Sequence, residues 1–396
     1  MIEYGQTALW PDAVADVTDL RAKRLTPLLK WAGGKEQELK HILPMIPSFD
    51  AYYEPFVGGG AIFFSIQSHR KFINDKSPDL FNFYVMIAQQ NADFFRALDT
   101  LLLGWQRVSQ IVDGSAPDLL NAYQAYSMNE SSLEELHRCL FEFIRQHTTE
   151  FNIIFEALLD KDIGNFIREI KRNLLSKTGR MKKLENRKWK LPESDVIANI
   201  ECALKSAYYM HLRYLYNRVG EYRIPASLAA AIFFFVRENA YASMFRYNSR
   251  GEFNVPYGGI AYNRKNLARK IAYLQSPEVE LHLRNTVIEN MDFEAFLQKY
   301  PPQAGDFVFL DPPYDSEFST YSQNEFGRGD QERLASYLLK RCGTKFMLVI
   351  KNTPAILNLY SHAGFNISAF DKKYLVSFQD RNNRAVEHLI ITNYCE

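Results

Sequence analysis

The spacing of hydrophobic and polar positions changes twice along the chain. Between about residues 80 and 240, apolar residues recur at helical spacing, as in LEELHRCLFEFIRQ and IFEALLDKDIGNFIREIKRNLL. Pro192 and Pro225 punctuate this helical stretch. Before it, AYYEPFVGGGAIFFSI (51–66) reads as a strand, a glycine turn and a helix start, and KFINDKS (71–77) as a strand ending in an acid. After about residue 285 the strand signals return in VIENMDF, FVFLDPPY, KFMLVI, YLVSF and HLIITNY. RYNSRGEFNVPYGG (246–259), rich in Gly, Asn and Pro, predicts an ordered loop, and residues 1–26 a lead-in. Strands at both ends around a helical block predict an α/β sheet interrupted by an inserted helical domain.

Composition narrows this little: 47% of residues are hydrophobic, enough for a substantial core. Charge is more telling in its distribution than in its sum. The net charge is +1, yet KRNLLSKTGRMKKLENRKWK (171–190) holds nine Lys or Arg against one Glu, leaving a mildly acidic remainder. A concentrated basic segment has the form of a phosphate-binding patch; a solvated basic helix face is the plainer reading. The cysteines, Cys139, Cys202, Cys342 and Cys395, form no CxxC pair, so neither zinc nor a disulfide framework is expected. The early sequence lacks an apolar signal-peptide core, and the run Leu228–Val236 is half a membrane span, so a cytoplasmic protein with no membrane partner is expected.

EPFVGGG (54–60) follows one strand and Asp75 ends the next. Glycines at such a turn let a ligand approach the backbone, and an acid there accepts hydrogen bonds from ribose hydroxyls. Because Ile62 and Phe63 stand where GxGxxG would continue, a nucleoside without a pyrophosphate fits better, and S-adenosylmethionine is the common one. A tight strand-to-helix turn is the alternative. DPPY (311–314) follows the FVFL strand; its prolines make a stiff arm where open α/β sheets bind ligands. Acceptors from Asp311 and the Pro312 carbonyl suit an exocyclic base amine, whose developing positive charge they would stabilise, with Tyr314 stacking on the ring.

Together, LLKWAGGK (28–35), EPFVGGG, FRYNSRGEFNVPYGG (245–259) and DPPY, supported by INDKS and NMDF, resemble the Dam-type DNA N6-adenine methyltransferases, in that family's motif order. The resemblance implies a Rossmann-like, seven-stranded, mostly parallel methyltransferase sheet (1–80 and 265–396). A mainly helical target-recognition domain (81–264) would interrupt it, with an extra basic insertion near 106–205. It implies transfer of a methyl group from S-adenosylmethionine to N6 of an adenine flipped out of double-stranded DNA. It also implies a monomer on DNA, a bacterial or phage setting, and a restriction endonuclease as a potential partner. Trp31, Lys35, Phe56, Gly58, Gly60, Asp75, Asp292 and Asp311 would serve the cofactor. Asp311, Pro312, Pro313 and Tyr314 would clamp the base. Lys30, Tyr241, Met244, Arg246 and Asn248 would meet DNA. Apart from the resemblance, Lys182, Lys183 and Arg187 of the basic run, which lies in the part longer than in compact members, are expected to add phosphate contacts or extend the recognition site, with a solvated basic face as the alternative. Two departures bear on specificity: Ala242 stands where GATC-reading members carry Asn, and GGIAY (258–262) lacks their Arg-Tyr pair. N4-cytosine methylation, for which Ser usually replaces the first acid of DPPY, RNA adenine methylation and an inactive DNA-binding subunit are the competing readings. Deamination lacks its HxE and PCxxC ligands.

Overall fold

The computed structural model describes residues 25–31, 33–156, 162–313, 326–340, 343–361, 364–373 and 385–395. Seven strands form one sheet in the order β3-β2-β1-β4-β5-β7-β6. They are β1 (Ala51–Glu54), β2 (Arg70–Asn74), β3 (Thr286–Glu289), β4 (Phe307–Leu310), β5 (Lys345–Lys351), β6 (Asn366–Lys373) and β7 (Ala385–Thr392). The first five pair in parallel, while β7 runs antiparallel to both β5 and β6. Every residue of β1 and β4 is buried, as expected of a parallel sheet covered on both faces. Strand order reverses between β1 and β4, paired in register at Tyr52–Phe307. Their carboxyl ends therefore meet at a topological switch point, where such sheets bind ligands.

The short helix α1 (Leu39–Ile42) precedes the sheet. Between β2 and β3 lie α2 (Pro78–Ala88), α3 (Ala92–Gly114), α4 (Ala116–Ser127), α5 (Leu133–Gln146) and α6 (Thr148–Glu156). They are followed by α7 (Ile163–Glu185), α8 (Glu193–Tyr216), α9 (Ala226–Asn239), α10 (Leu267–Leu274) and α11 (Pro277–Arg284). Pro192 and Pro225, already extended in backbone geometry, sit immediately before α8 and α9 and set their starts. Helix α9 is apolar on nearly every side because it lies inside the bundle, with Phe234 stacked 5.7 Å from Phe83 of α2. One apolar cluster runs from this bundle onto Tyr52, Phe307 and Met347 of the sheet. The opposite sheet face, with Tyr53, Val308 and Leu348, packs under α12 (Phe293–Lys299), α13 (Arg328–Lys340) and α14 (Pro354–Tyr360). No helix among the described residues is long and apolar enough to cross a membrane.

One local expectation is corrected, and one strand is added. The helix expected after the glycine turn is only a 3-10 turn, Phe63–Ser65, because the chain re-enters the sheet at Arg70. Strand β6 carries the alternating NISAFDKK, which periodicity passed over; the expected YLVSF strand lies outside the described residues.

Candidate active site

The glycine turn is shaped by the tryptophan that covers it. Gly58 and Gly60 have φ of +50° and +75°, a region that disfavours side chains. A Cβ on Gly58 would stand 2.8 Å from Trp31 Cδ1, and one on Gly59 would stand 2.9 Å from the Leu29 carbonyl. Trp31 lies against this turn and packs edge-on to Phe245, ring centres 4.2 Å apart. Asp75 closes the turn from β2: one carboxylate oxygen accepts from the Gly58 N–H (3.0 Å), the other from the Ser77 N–H (2.9 Å). Burial pushes its carboxyl up to about 6, against the pull of those two backbone donors.

A residue that the sequence did not single out braces the strand ends. Asn74 donates to the carbonyls of Pro55 and Met291, both at 3.0 Å, and accepts from the Met291 N–H. Asn290 in turn donates to the Asp75 carbonyl at 2.7 Å. The ends of β1, β2 and β3 are thus locked together by side-chain amides, which can both donate and accept.

Across the switch point, Lys35 Nζ lies 2.5 Å from each carboxylate oxygen of Asp311 and donates to the Gly33 carbonyl at 3.1 Å. The lysine is almost wholly buried and Asp311 is partly open. Pro312 is buried and Pro313 exposed, its carbonyl held by Gln331 Nε2 of α13 at 3.1 Å. Tyr314 lies outside the described residues. Beneath the pair sits Glu54, buried at the end of β1 and bonded by the Tyr52 hydroxyl at 2.8 Å. Burial pushes its carboxyl well above the ordinary range, and the nearby Asp311 and Asp75 push the same way. Of these three acids, Asp311 is the one the buried Lys35 ammonium is seen to pair with among the described residues.

Phe56 packs between Phe293 and Phe326, ring centres 5.5 and 5.4 Å away. Asp292 caps α12, accepting from the Glu294 N–H at 3.0 Å, and pairs with Arg333 at 2.6 Å.

The loop after α9 is organised by Arg237, which the motifs did not reveal. Its guanidinium is buried and donates to the carbonyls of Met244 (2.8 Å), Ser243 (3.1 Å) and Lys30 (3.4 Å). It lies 3.1 Å from the centre of the Phe245 ring. Burial pulls Arg237 down to about 10, still cationic at neutral pH. Carbonyls and ring faces thus replace the water it gave up. The loop it holds is unusual: Ala242 and Ser243 both have positive φ, near 50°. That turn leaves Tyr241 half exposed while Met244 is partly covered.

Arg246 is exposed but donates through Nε to Asn254 Oδ1 at 2.8 Å. Asn248 is spent within the hairpin. Its oxygen accepts from the N–H groups of Arg250 and Glu252, and its amide donates to Glu252 Oε2 at 2.9 Å. Asn217, just beyond α8, clasps the hairpin through Phe253, donating to its carbonyl at 3.0 Å and accepting from its N–H at 2.8 Å. Lys30 is exposed, on the strip that Arg237 ties to this loop.

The basic run stands apart. Lys182 donates to the Tyr126 carbonyl at 2.5 Å and lies 3.8 Å from that ring's centre, so its ammonium is engaged within the bundle. Lys183 and Arg187 are exposed. Helix α7 is antiparallel to α8, with Asn165 against His211 and Asn173 against Ser206. The end of α7 that bears Lys183 therefore lies toward the start of α8, and the hairpin is fixed beyond its end. At 1.5 Å per residue the 24 residues of α8 span about 36 Å.

The model of the D12 class N6 adenine-specific DNA methyltransferases matches residues 31–112 and 190–376. The match omits 113–189, which holds α4, α5, α6 and α7. The chain is 24% identical over 375 residues to the type II methyltransferase M.CviBI of Paramecium bursaria Chlorella virus NC1A, covering 93% of this chain and all of that relative. It is 27% identical to the type II methyltransferase M.MjaIII of Methanocaldococcus jannaschii, covering 93% and 99% of the two chains. It is 33% identical over 340 residues to the retron Ec67 DNA adenine methylase of Escherichia coli, covering 85% and 81%.

Two substitutions test this geometry. Gly58→Ala forces a Cβ into Trp31 at a positive φ; a loss of roughly 1–3 kcal/mol is expected in thermal unfolding. Arg237→Met removes three hydrogen bonds made by a buried guanidinium to the loop and to Lys30. Unfolding should show a loss on the order of 3 kcal/mol, and steady-state kinetics a KM for DNA raised more than that for the methyl donor.

Proposed function

The chain belongs to the D12 class N6 adenine-specific DNA methyltransferases, and from that premise we propose how its residues divide the work of methylating adenine N6 in DNA. The observation that carries the assignment is the meeting of the glycine turn, Asp75 and the Lys35–Asp311 pair at one switch point of the sheet.

The methyl donor is S-adenosylmethionine, whose sulfonium offers an electrophilic methyl group. The residues fit such a nucleoside. Gly58, Gly59 and Gly60 let Trp31, Leu29 and Phe64 close tightly on the turn, and Asp75 has carboxylate lone pairs beyond those given to Gly58 and Ser77. Trp31 and Phe56 supply flat apolar walls, with Asp292 near the rim as a further acceptor.

Asp311 accepts one N–H of the target amine and the Pro312 carbonyl accepts the other. Both acceptors are placed in advance by the stiff backbone, so they stabilise the positive charge that grows on nitrogen during attack. A carboxylate has about four lone-pair sites, so Asp311 can hold Lys35 and still receive the amine. Lys35 offsets the negative charge of Asp311, while burial favours the neutral acid at Glu54. Tyr314 stacks on the extruded base. Lys30, Tyr241, Met244 and Arg246 form the DNA-facing strip, with Asn248 supporting the hairpin rather than reading a base. Ala242 lacks a side chain that can hydrogen-bond, so a recognition sequence other than GATC is expected. The type II names of two relatives support a restriction–modification setting with a partner endonuclease, and the enzyme acts as a cytoplasmic monomer on double-stranded DNA.

Single-molecule sequencing of DNA from a methylation-free host expressing the chain should show N6-methyladenine in one sequence context. With Asp311→Ala the mark should vanish, turnover in vitro should fall by at least roughly 100-fold, and donor affinity should stay within a few-fold. An active Asp311→Ala enzyme would overturn the clamp.

A pH series tests Asp75. Its folded-state carboxyl titrates near 6, above its ordinary value of 3.8, so between those values the folded protein holds the extra proton. Protonation removes an acceptor from the ribose. Donor affinity should be flat above pH about 6 and weaken by up to about tenfold per unit below it. Asp75→Asn should bind weakly at every pH with no such inflection; an inflection retained in Asp75→Asn assigns it elsewhere.

A further inference from the structure

Helix α7 separates its residues into two faces. Phe166, Ile170, Leu174, Thr178 and Met181 are buried. The outer face presents Arg168, Arg172, Arg180 and Lys183, all exposed, and Arg187 continues the row in the turn beyond the helix. Their spacings of four, eight, three and four residues place them on one side. At 1.5 Å per residue the row is roughly 28 Å long.

Little within the protein neutralises this row. Arg168 lies 3.6 Å from Asp162 and Arg172 lies 2.7 Å from Glu169, both as exposed arginines, so the pairs are weak. For Arg180, Lys183 and Arg187 no ion pair occurs among the described residues.

The row begins beside the DNA-facing hairpin. At the start of α7, Asp162 accepts from the Tyr214 hydroxyl at 2.9 Å, and Asn165 donates to His211 Nδ1 at 3.0 Å. On the same stretch of α8, Arg213 holds the Val255 carbonyl at 2.9 Å, and Asn217 clasps Phe253. From there the row runs away along α8, wholly inside the 113–189 segment that the family match omits.

We propose that this arginine row tracks the phosphate backbone of duplex DNA flanking the methylation site, lengthening the contact on one side by about eight base pairs, at 3.4 Å per phosphate on each strand. The proposal rests on the reading that the chain methylates DNA. A phosphate backbone is favoured over other anions because it is the repeating polyanion that the neighbouring hairpin already meets, and because a straight cationic row of this length matches its geometry.

The test replaces all five, as Arg168→Gln, Arg172→Gln, Arg180→Gln, Lys183→Gln and Arg187→Gln. Two duplexes carry the methylation site, one ending a few base pairs from it and one extended by more than a helical turn on both sides. The native protein should bind the long duplex at least tenfold tighter than the short one at moderate salt. The variant should bind both alike, and match the native protein on the short duplex, which also shows that it is folded. On the long duplex, the slope of log affinity against log salt should be shallower in the variant by about 3–5, near 0.9 per lost contact. Equal slopes, or no preference for the long duplex in the native protein, would overturn the row's role. Failure of the native protein to methylate either duplex would instead overturn the reading beneath it.

Discussion

Lys35 and Asp311 are 276 positions apart and meet because β1 and β4 are neighbours in the sheet. That parallel pairing is the constraint on which the site depends. It sets the glycine turn and the proline-stiffened arm side by side at the carboxyl edge, with Glu54 buried under both. Asp311 and Asp75 both act on buried Glu54 and favour its neutral form, while the buried ammonium of Lys35 pairs with Asp311. Asp311 is consequently held, partly desolvated, at the end of a proline-stiffened arm.

Around that pairing, side chains couple parts that the backbone alone would leave independent. Asn74 ties together three strand ends. Arg237 ties the Lys30–Trp31 strip to the loop that carries Tyr241 and Met244. Because Trp31 also covers the glycine turn and packs on Phe245, the turn and the loop after α9 share one wall. The positive φ of Ala242 and Ser243 shows a loop held away from its intrinsic preference. Three hydrogen bonds from a buried cation are a sufficient restraint.

The segment missing from the family match, 113–189, is helical, joined through α7 and α8 and continuous with the main apolar cluster. It is not loosely attached: Phe166 and Tyr208 share a core contact, and Asn173 bonds Ser206. Its outer surface is where exposed cationic side chains are concentrated.

The sequence by itself determined the alternation of strand, helical block and strand, and the chemistry at the strand ends. EPFVGGG, the acid at Asp75 and the DPP arm are local signals, each produced by a backbone requirement that few residues satisfy. Trp31 and Lys35 were legible through motif order rather than through any pattern of their own. Only the tertiary structure decided which signals belong together. It reduced the helix after the glycine turn to a 3-10 turn, committed Asn248 to its hairpin, and turned Lys182 inward to Tyr126. It also revealed Arg237, which no motif contained, and the partners of Asn74 and Glu54, which lay unassigned inside quoted motifs. The reason is physical: a backbone conformation is imposed by neighbours in the chain, whereas burial, charge pairing and hydrogen-bond partners depend on segments hundreds of residues away.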